Sequence, residues 1–282
     1  MPYTGSCCKQ SVTNENMPFY TARMTSPFPL SHQLVRVAAV VFALLLAPSA
    51  KAQPTPISYK LTGDVGGAAY STQSMIRGKG NVTTVLPYGF ADYGPFFVRV
   101  DTFGFKVLPV GNGYLELIGR VSQEGWRANT AALTGLKDRT TPLPIGLGTF
   151  QQTAYGAFML NAFVDAGASR GSLLEATYVS EVKLGKLSLY PMVGIERRSA
   201  KYANYFYGVT PSEATASRYA AYNAGSSVTP VLGLAADYSL TENWVVNLQL
   251  RRKWLDSAVT NSPLVIRKSQ DAGYVGLSYR FK

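Results

Sequence analysis

Charged side chains on the polar face of several alternating segments are the residues of this chain best placed to do chemistry. The set consists of four carboxylates and three bases: Glu175, Glu181, Glu196, Asp237, Arg198, Arg251 and Lys253. Paired carboxylates can act as the general acid and base of a hydrolase. The alternative is a ladder of ion pairs that packs a narrow interior. No spacing of these carboxylates supports a hydrolase, so we expect the ladder and no enzymatic activity.

An apolar run from Val35 to Ala47 is too short to span a bilayer, which takes about 20 helical residues. Basic residues precede it, and the sequence Ala50-Lys51-Ala52 follows, a pattern typical of a secretory signal peptide cut before Gln53. The alternative is a buried core helix. We predict a signal peptide over 24–52, with Met24 as the start, and expect residues 1–23 to be a non-native or disordered extension.

Cleavage before Gln53 removes both cysteines and the single histidine, Cys7, Cys8 and His32. The remaining chain then has no thiolate nucleophile, imidazole base or Cys/His metal site. We therefore predict neither a cofactor nor a metal. The net charge of the full chain is +11. For an exported protein, this charge fits contact with lipopolysaccharide phosphates better than binding to nucleic acid.

Alternation with a period of two residues recurs throughout 53–282, and it predicts strands. The segment from Asn243 to Leu255 is the clearest, with apolar residues at every even position except Arg252 and polar residues at most odd positions. Trp244 and Trp254 lie near its ends, and ten residues of a tilted strand rise roughly 25 Å, the apolar height of an outer-membrane barrel with aromatic girdles. A strand this long is unusual in a soluble sandwich.

Eleven segments fit this pattern, whereas a bacterial single-chain barrel needs an even number. They are 57–71, 82–91, 95–108, 113–127, 143–153, 155–166, 174–183, 187–199, 232–240, 243–255 and 271–281. We expect the missing strand in 57–95 or near 151–156. The fold class predicted for 53–282 is all-β, a transmembrane antiparallel up-and-down β-barrel of about 10–12 strands; the rival is a soluble periplasmic sandwich. Phe103 and Phe105 are assigned to the lumen, with Arg99 and Asp101.

Long loops are expected at 128–142, 202–228 and 257–270. Thr210 and Glu213 form a capping box with proline at the first helical position, which predicts a short helix from Pro211 to about Arg218. Five tyrosines surround it: Tyr202, Tyr205, Tyr207, Tyr219 and Tyr222. Tyrosines among small residues make an adaptable binding surface. The alternative is that these side chains hold a folded loop down on the rim.

Five motifs stand out in the loops and the last strand: SAKYANYFYGVTPSEA at 199–214, AYNAG at 221–225, LKDR at 136–139, SPLV at 262–265 and GLSYRF at 276–281. Together they closely resemble the MltA-interacting protein/OmpV family of Gram-negative outer-membrane proteins. The resemblance covers nearly all of 53–282. Two features depart from the family pattern, namely the upstream residues 1–23 and Lys282 after the final phenylalanine.

The resemblance implies a non-enzymatic barrel in the cell outer membrane that serves as a scaffold for a murein transglycosylase and a peptidoglycan synthase. Its alternatives are a surface adhesin or antigen acting through the tyrosine-rich loop, and a small channel of low conductance. Outer-membrane lipid and lipopolysaccharide are the expected surroundings. Tyr279 and Phe281 in the closing strand also resemble the signal that outer-membrane assembly machinery recognises in its clients.

Overall fold

The alternating segments fold into a closed antiparallel β-barrel in a computed structural model that describes residues 56–282. The predicted extension 1–23 and signal peptide 24–52 lie outside the described residues. No helix among the described residues is long and apolar enough to cross a membrane.

Within residues 56–282, thirteen strands make up the wall. They are β1 Thr62–Thr72, β2 Val82–Tyr93, β3 Phe96–Arg99, β4 Thr102–Val110, β5 Gly113–Arg120, β6 Pro144–Thr153, β7 Gly156–Asp165, β8 Ser172–Val179, β9 Val182–Leu184, β10 Leu187–Arg198, β11 Ser227–Ser239, β12 Trp244–Trp254 and β13 Ser269–Phe281. β8 and β9 both pair with β10 and occupy one position, so the ring has 12 strands. Pairing of β1 with β13 and of β10 with β11 closes the ring. The predicted fold class, strand number and even count are confirmed.

The segment 95–108 is a hairpin and not the single strand that its alternation predicted. β3 ends at Arg99, the chain reverses at Val100 and Asp101, and β4 runs back along β3. Val100 has a φ of 59°, a left-handed conformation that is rare for a β-branched residue and that its sequence does not signal. This hairpin supplies the missing strand, so the expectation that it lies in 57–95 or near 151–156 was wrong.

Reversal at Val100 also inverts which side chains face the lumen. Phe103 pairs with Val98 and Phe105 with Phe96, and these residues lie on the outer face. Phe103 and Phe105 are 50% and 40% exposed. The prediction that these phenylalanines share the lumen with Arg99 was therefore wrong, because it assumed an uninterrupted period of two.

Apolar side chains cover the outer face of the barrel, as the alternation predicted. On β12, Trp244 and Trp254 are 45% and 44% exposed, while Asn247 between them is fully buried on the inner face. The Trp244 ring packs edge-on against Tyr279 of β13, with ring centroids 5.5 Å apart, and Phe281 contacts Tyr279. Aromatic residues clustered on the outer face in this way are typical of the girdle at a membrane interface, and the girdle role of Trp244 and Trp254 stays a prediction.

Connections of two lengths separate the two ends of the barrel. The turn end carries the short connections 94–95, 111–112, 154–155, 185–186 and 240–243; the loop end carries 73–81, 121–143, 166–171, 199–226 and 255–268. Three α-helices lie in the last two loops, α1 Ala200–Tyr207, α2 Pro211–Ala216 and α3 Ser257–Thr260. In bacterial barrels short turns face the periplasm and long loops face outward.

Candidate functional site: the lumen and its lid

A layer of ion pairs crosses the lumen near the loop end. The Glu196 carboxylate forms ion pairs with Lys253, at 2.5 Å from Nζ, and with Arg198, at 3.3 Å. Arg198 is 1% exposed; it also binds Glu124 at 2.5 Å and donates to the Tyr207 hydroxyl at 3.2 Å. Each charge in this layer therefore faces at least one opposite charge, which compensates the cost of burying it.

A second group of ion pairs includes Glu175, which lies directly opposite Glu196 in the register of β8 and β10. Arg120 makes a bidentate pair with Glu175 and lies 3.9 Å from Asp101. Arg99 reaches Glu116 at 3.0 Å and stacks on the Phe97 ring, with the guanidinium carbon 3.9 Å from the ring centroid. Two-pronged contacts of this kind fix the planar guanidinium in one orientation.

Toward the turn end, Arg280 joins two carboxylates. It makes two bonds of 2.7 Å to Asp64 and one of 3.3 Å to Asp237, which also accepts the side-chain amide of Asn247 at 2.8 Å. Glu181 lies at the mouth of the barrel, where it accepts the Tyr190 hydroxyl at 3.1 Å. All four predicted carboxylates thus have hydrogen-bonded or ion-paired partners.

Five arginines of the described chain point into the barrel, and Arg251 alone among them makes no ion pair within 4 Å. The other four are Arg99, Arg120, Arg198 and Arg280. The Nε atom of Arg251 is buried and has no hydrogen-bond partner. Asp101 and Glu196 attract Arg251 from beyond that distance, so Arg251 is the inward arginine of the described chain that has electrostatic partners but no direct ion pair.

The lumen contains a cavity of about 940 Å³ that reaches the turn end, where Tyr155 and Glu181 line its mouth. Its walls carry the paired charges described above. Within residues 56–282, no group of three or more Asp, Glu, His or Cys side chains could hold a metal ion. A general base needs a carboxylate that can reach a substrate proton, whereas these carboxylates already bind arginine, lysine, tyrosine or asparagine side chains. The arrangement fits an ion-pair ladder.

A packed apolar core closes the loop end, and we call it the lid. Four loops contribute fully or nearly fully buried side chains to it, among them Met75, Leu133, Phe206 and Leu264. Tyr202 and Tyr207, from the predicted binding loop, are 2% and 3% exposed. The lid therefore buries much of the tyrosine cluster that the sequence predicted to be a binding surface.

Each of the five predicted tyrosines anchors its loop to another part of the chain. The hydroxyl contacts are Tyr202 to Glu124 at 2.6 Å, Tyr205 to the Thr140 amide at 3.0 Å, Tyr207 to Arg198 at 3.2 Å, Tyr219 to the Ala132 carbonyl at 2.6 Å and Tyr222 to the Ala258 carbonyl at 2.9 Å. Tyr205 and Tyr222 are partly buried against the lid. These contacts favour the alternative in which the tyrosines hold a folded loop on the rim.

The capping box predicted at Thr210 is present and extends into a second loop. Glu213 accepts the Thr210 amide at 3.0 Å, the Lys137 amide at 2.9 Å and the Arg139 guanidinium at 3.0 Å. Burial alone would raise the pKa of this carboxyl, but the two amides and Arg139 outweigh it and lower the pKa to about 2. Helix α2 ends at Ala216, slightly earlier than predicted.

Sequence reasoning missed the residues that receive these contacts. Glu124 and Arg139 lie in the loop 121–143, and helix α1 begins at an unrecognised N-cap, Ser199, whose hydroxyl accepts the Tyr202 amide at 3.3 Å. The motif at 136–139 could be recognised in the sequence. No local pattern, however, predicts that its Arg139 pairs with Glu213, 74 residues away.

Comparison with known proteins finds a family model, described as MltA-interacting protein MipA, that matches residues 65–281. The putative outer membrane protein YiaT of Escherichia coli K12 is 26% identical over 245 residues, which cover 86% of this chain and 96% of that protein. The MltA-interacting protein of the same strain is 29% identical over 147 residues, 52% of this chain and 59% of that protein. Outer membrane protein OmpV of Vibrio cholerae is 31% identical over 113 residues, 40% of this chain and 44% of that protein.

Proposed function

The chain belongs to the MltA-interacting protein MipA family, and we propose on this basis that it is a non-enzymatic scaffold for peptidoglycan-remodelling enzymes. It is an outer-membrane β-barrel, the type of protein that its relatives' names describe. The partners proposed are a murein hydrolase and a peptidoglycan synthase. One relative is named for its interaction with MltA, and that name supports a partner of this kind.

The observation that carries the proposal is the contrast between the two ends of the barrel. At the loop end the aromatic side chains are packed into the lid. At the turn end the side chains of two tyrosines are exposed to solvent, Tyr59 to 74% and Tyr155 to 85%. Exposed tyrosines are common anchors of protein interfaces, because they bury a large area at a low cost in conformational entropy.

The short turns alone present a partner with little contact area, but the segment before β1 adds to the surface of the turn end. Its Ser58 carbonyl accepts the Gly94 amide of the first turn at 2.8 Å. Tyr59 packs edge-on against Tyr93 at 6.3 Å between ring centroids. These contacts fix Tyr59 beside the turn, so a partner meets an ordered surface.

Charged side chains on the same rim indicate which charges a partner's surface should carry. The side chains of Lys183 and Lys282 are 72% and 61% exposed at the turn end, and they lie 3.4 Å from Glu181 and 4.0 Å from Glu242. A partner surface that carries both acidic and basic side chains around an aromatic-binding groove would complement this rim.

The alternative of adhesion through the tyrosine-rich loop has weaker support. Tyr202, Tyr207 and Tyr219 are at most 9% exposed, so an external ligand would first have to open the lid. The loop-end residues identified from the sequence fit an anchoring role, and the scaffold proposal depends on none of them.

A pull-down with matched variants tests the proposal. Tagged protein extracted in mild detergent should recover a murein hydrolase or synthase, and the double variant Tyr59→Ala/Tyr155→Ala should recover about tenfold less, the effect expected of interface anchors. The control is Thr215→Ala/Arg218→Ala, two exposed positions at the loop end. Recovery of neither enzyme, or equal loss in both double variants, would contradict the proposal.

A further inference from the structure

The barrel wall is incomplete in its loop-end half. β3 has only four residues, and β2 pairs with it only from Phe90 to Tyr93. Val82–Tyr88, the loop-end half of β2, pairs with β1 on one side and with no described strand on the other. We call the space between this edge and residues 121–126 the wall gap.

The wall gap lies where the barrel meets lipid. Val85, on the unpaired half of β2, is 77% exposed on the outer face. Unpaired backbone groups are costly in hydrocarbon, and proteins usually pair or cover such an edge. An edge left open at this depth therefore indicates a place where something other than bulk lipid meets the wall.

Hydrogen bonds fix the borders of the wall gap. On the turn-end side the Val100 amide donates to the Gly89 carbonyl at 2.7 Å, and the Val121 amide donates to the Asp101 carbonyl at 2.9 Å. At the loop-end side the Thr72 hydroxyl donates to Gln123 Oε1 at 2.9 Å. The opening is thus a framed feature of the fold.

Behind the wall gap lies a cavity of about 400 Å³ that joins the outer face to the lumen. Its lining includes the apolar residues Val82, Leu86, Val98, Val100, Phe103 and Val121, and it reaches Arg251 and Lys253. The four carboxylates in the lining each lie within 4 Å of another cation: Glu124 of Arg198, Glu175 and Asp101 of Arg120, and Glu196 of Lys253. Lys253 is paired with Glu196, whereas Arg251 has no ion pair and a buried, unpartnered Nε. An apolar entrance that ends at an unpaired guanidinium matches an amphiphile with one anionic head.

Cavity size narrows the class of ligand. Small-molecule sites have volumes of about 300–1,000 Å³, so this cavity suits a single chain and not a lipid with several acyl chains. A carboxylate can meet the guanidinium of Arg251 in a two-pronged contact. We propose that the wall gap is a lateral binding site for a long-chain carboxylate, with its alkyl chain in the gap and its head on Arg251.

Photolabelling tests the site directly. The protein in zwitterionic nanodiscs is irradiated with a 16-carbon carboxylate that carries a diazirine at its chain end, and the labelled residues are mapped by mass spectrometry. Label is expected on Val82 and Leu86, the cavity-lining residues of β2 that face inward. Arg251→Gln should lower it about tenfold, the loss of one charge-assisted contact. Arg252→Gln, the neighbouring position that points outward and pairs with Asp271, should leave it unchanged.

Three results would overturn the proposal: equal labelling of the two arginine variants, equal labelling by a 16-carbon alcohol with the same diazirine, or label confined to outward residues such as Val85. A band whose gel mobility changes on heating shows that the barrel is folded. If Arg251→Gln lacks this band, Leu86→Trp is compared instead. Leu86 lines the cavity, so a tryptophan there should block labelling, whereas Val85→Trp should not. Equal labelling of these two variants would also contradict the site.

Discussion

Arg198 shows how single residues hold the lumen together. Its guanidinium is almost fully buried and contacts Glu124, Glu196 and the Tyr207 hydroxyl, so it links β10 to the loop 121–143, whose Glu124 lies 74 residues earlier in the chain. Removing one partner from a buried charge network leaves the others unpaired, and that cost exceeds the value of the pair itself.

Arg198→Met should therefore lower the free energy of unfolding by about 3–5 kcal/mol, because Glu124 and Glu196 lose a buried cation. Urea titration in lipid vesicles, followed by tryptophan fluorescence, measures the change. Arg252→Met is the control, since Arg252 pairs with Asp271 on the outer face, where its side chain is 54% exposed. Equal stability of the two variants would contradict the role assigned to Arg198.

At the scale of elements, the lid depends on one carboxylate that joins two loops. Glu213 closes the capping box of α2 and also receives Lys137 and Arg139 of the loop 121–143. The pKa of Glu213 is about 2, below its ordinary value of 4.5. The ionised form thus stabilises the lid above about pH 4.5, and that contribution is lost as the pH falls from about 4.5 toward 2.

Hydrogen exchange of residues 199–226, corrected for intrinsic rates, should therefore be slow at pH 6 and faster at pH 3. Glu213→Gln should exchange quickly at both pH values, because the neutral amide cannot replace the ionised carboxylate. Thr215→Ala, an exposed change on the same helix, provides the control. A lid whose exchange is the same at both pH values would show that Glu213 does not hold it.

Local sequence patterns predicted most strands. The features that these patterns could not predict depend on contacts between residues far apart in the chain. The period of two residues places Glu175, Glu196 and Asp237 inside because each lies in an uninterrupted strand. It fails at Val100, where a turn without glycine or proline reverses the chain and inverts the facing of Phe103 and Phe105. The burial of the tyrosines could not be predicted either, since their partners Glu124, Thr140 and Ala258 lie in other loops.

At the scale of the whole molecule, the lid and the ion pairs obstruct the lumen. A 12-stranded barrel is wide enough to enclose a cavity, but inward arginine, glutamate and aromatic side chains occupy much of it. We therefore expect low conductance in planar bilayers. Shortening the lid by deleting 204–226 should raise the conductance, and large stable steps from the intact protein would contradict this account.

The scaffold proposal makes its most direct prediction in living cells. A photo-crosslinking amino acid at position 155, on the exposed turn end, should capture a murein hydrolase or a peptidoglycan synthase, identified by mass spectrometry. The same amino acid at position 215, which is also exposed but lies at the loop end, should capture neither. Crosslinks to these enzymes from position 215 and none from position 155 would contradict the claim that the turn end binds the cell-wall machinery.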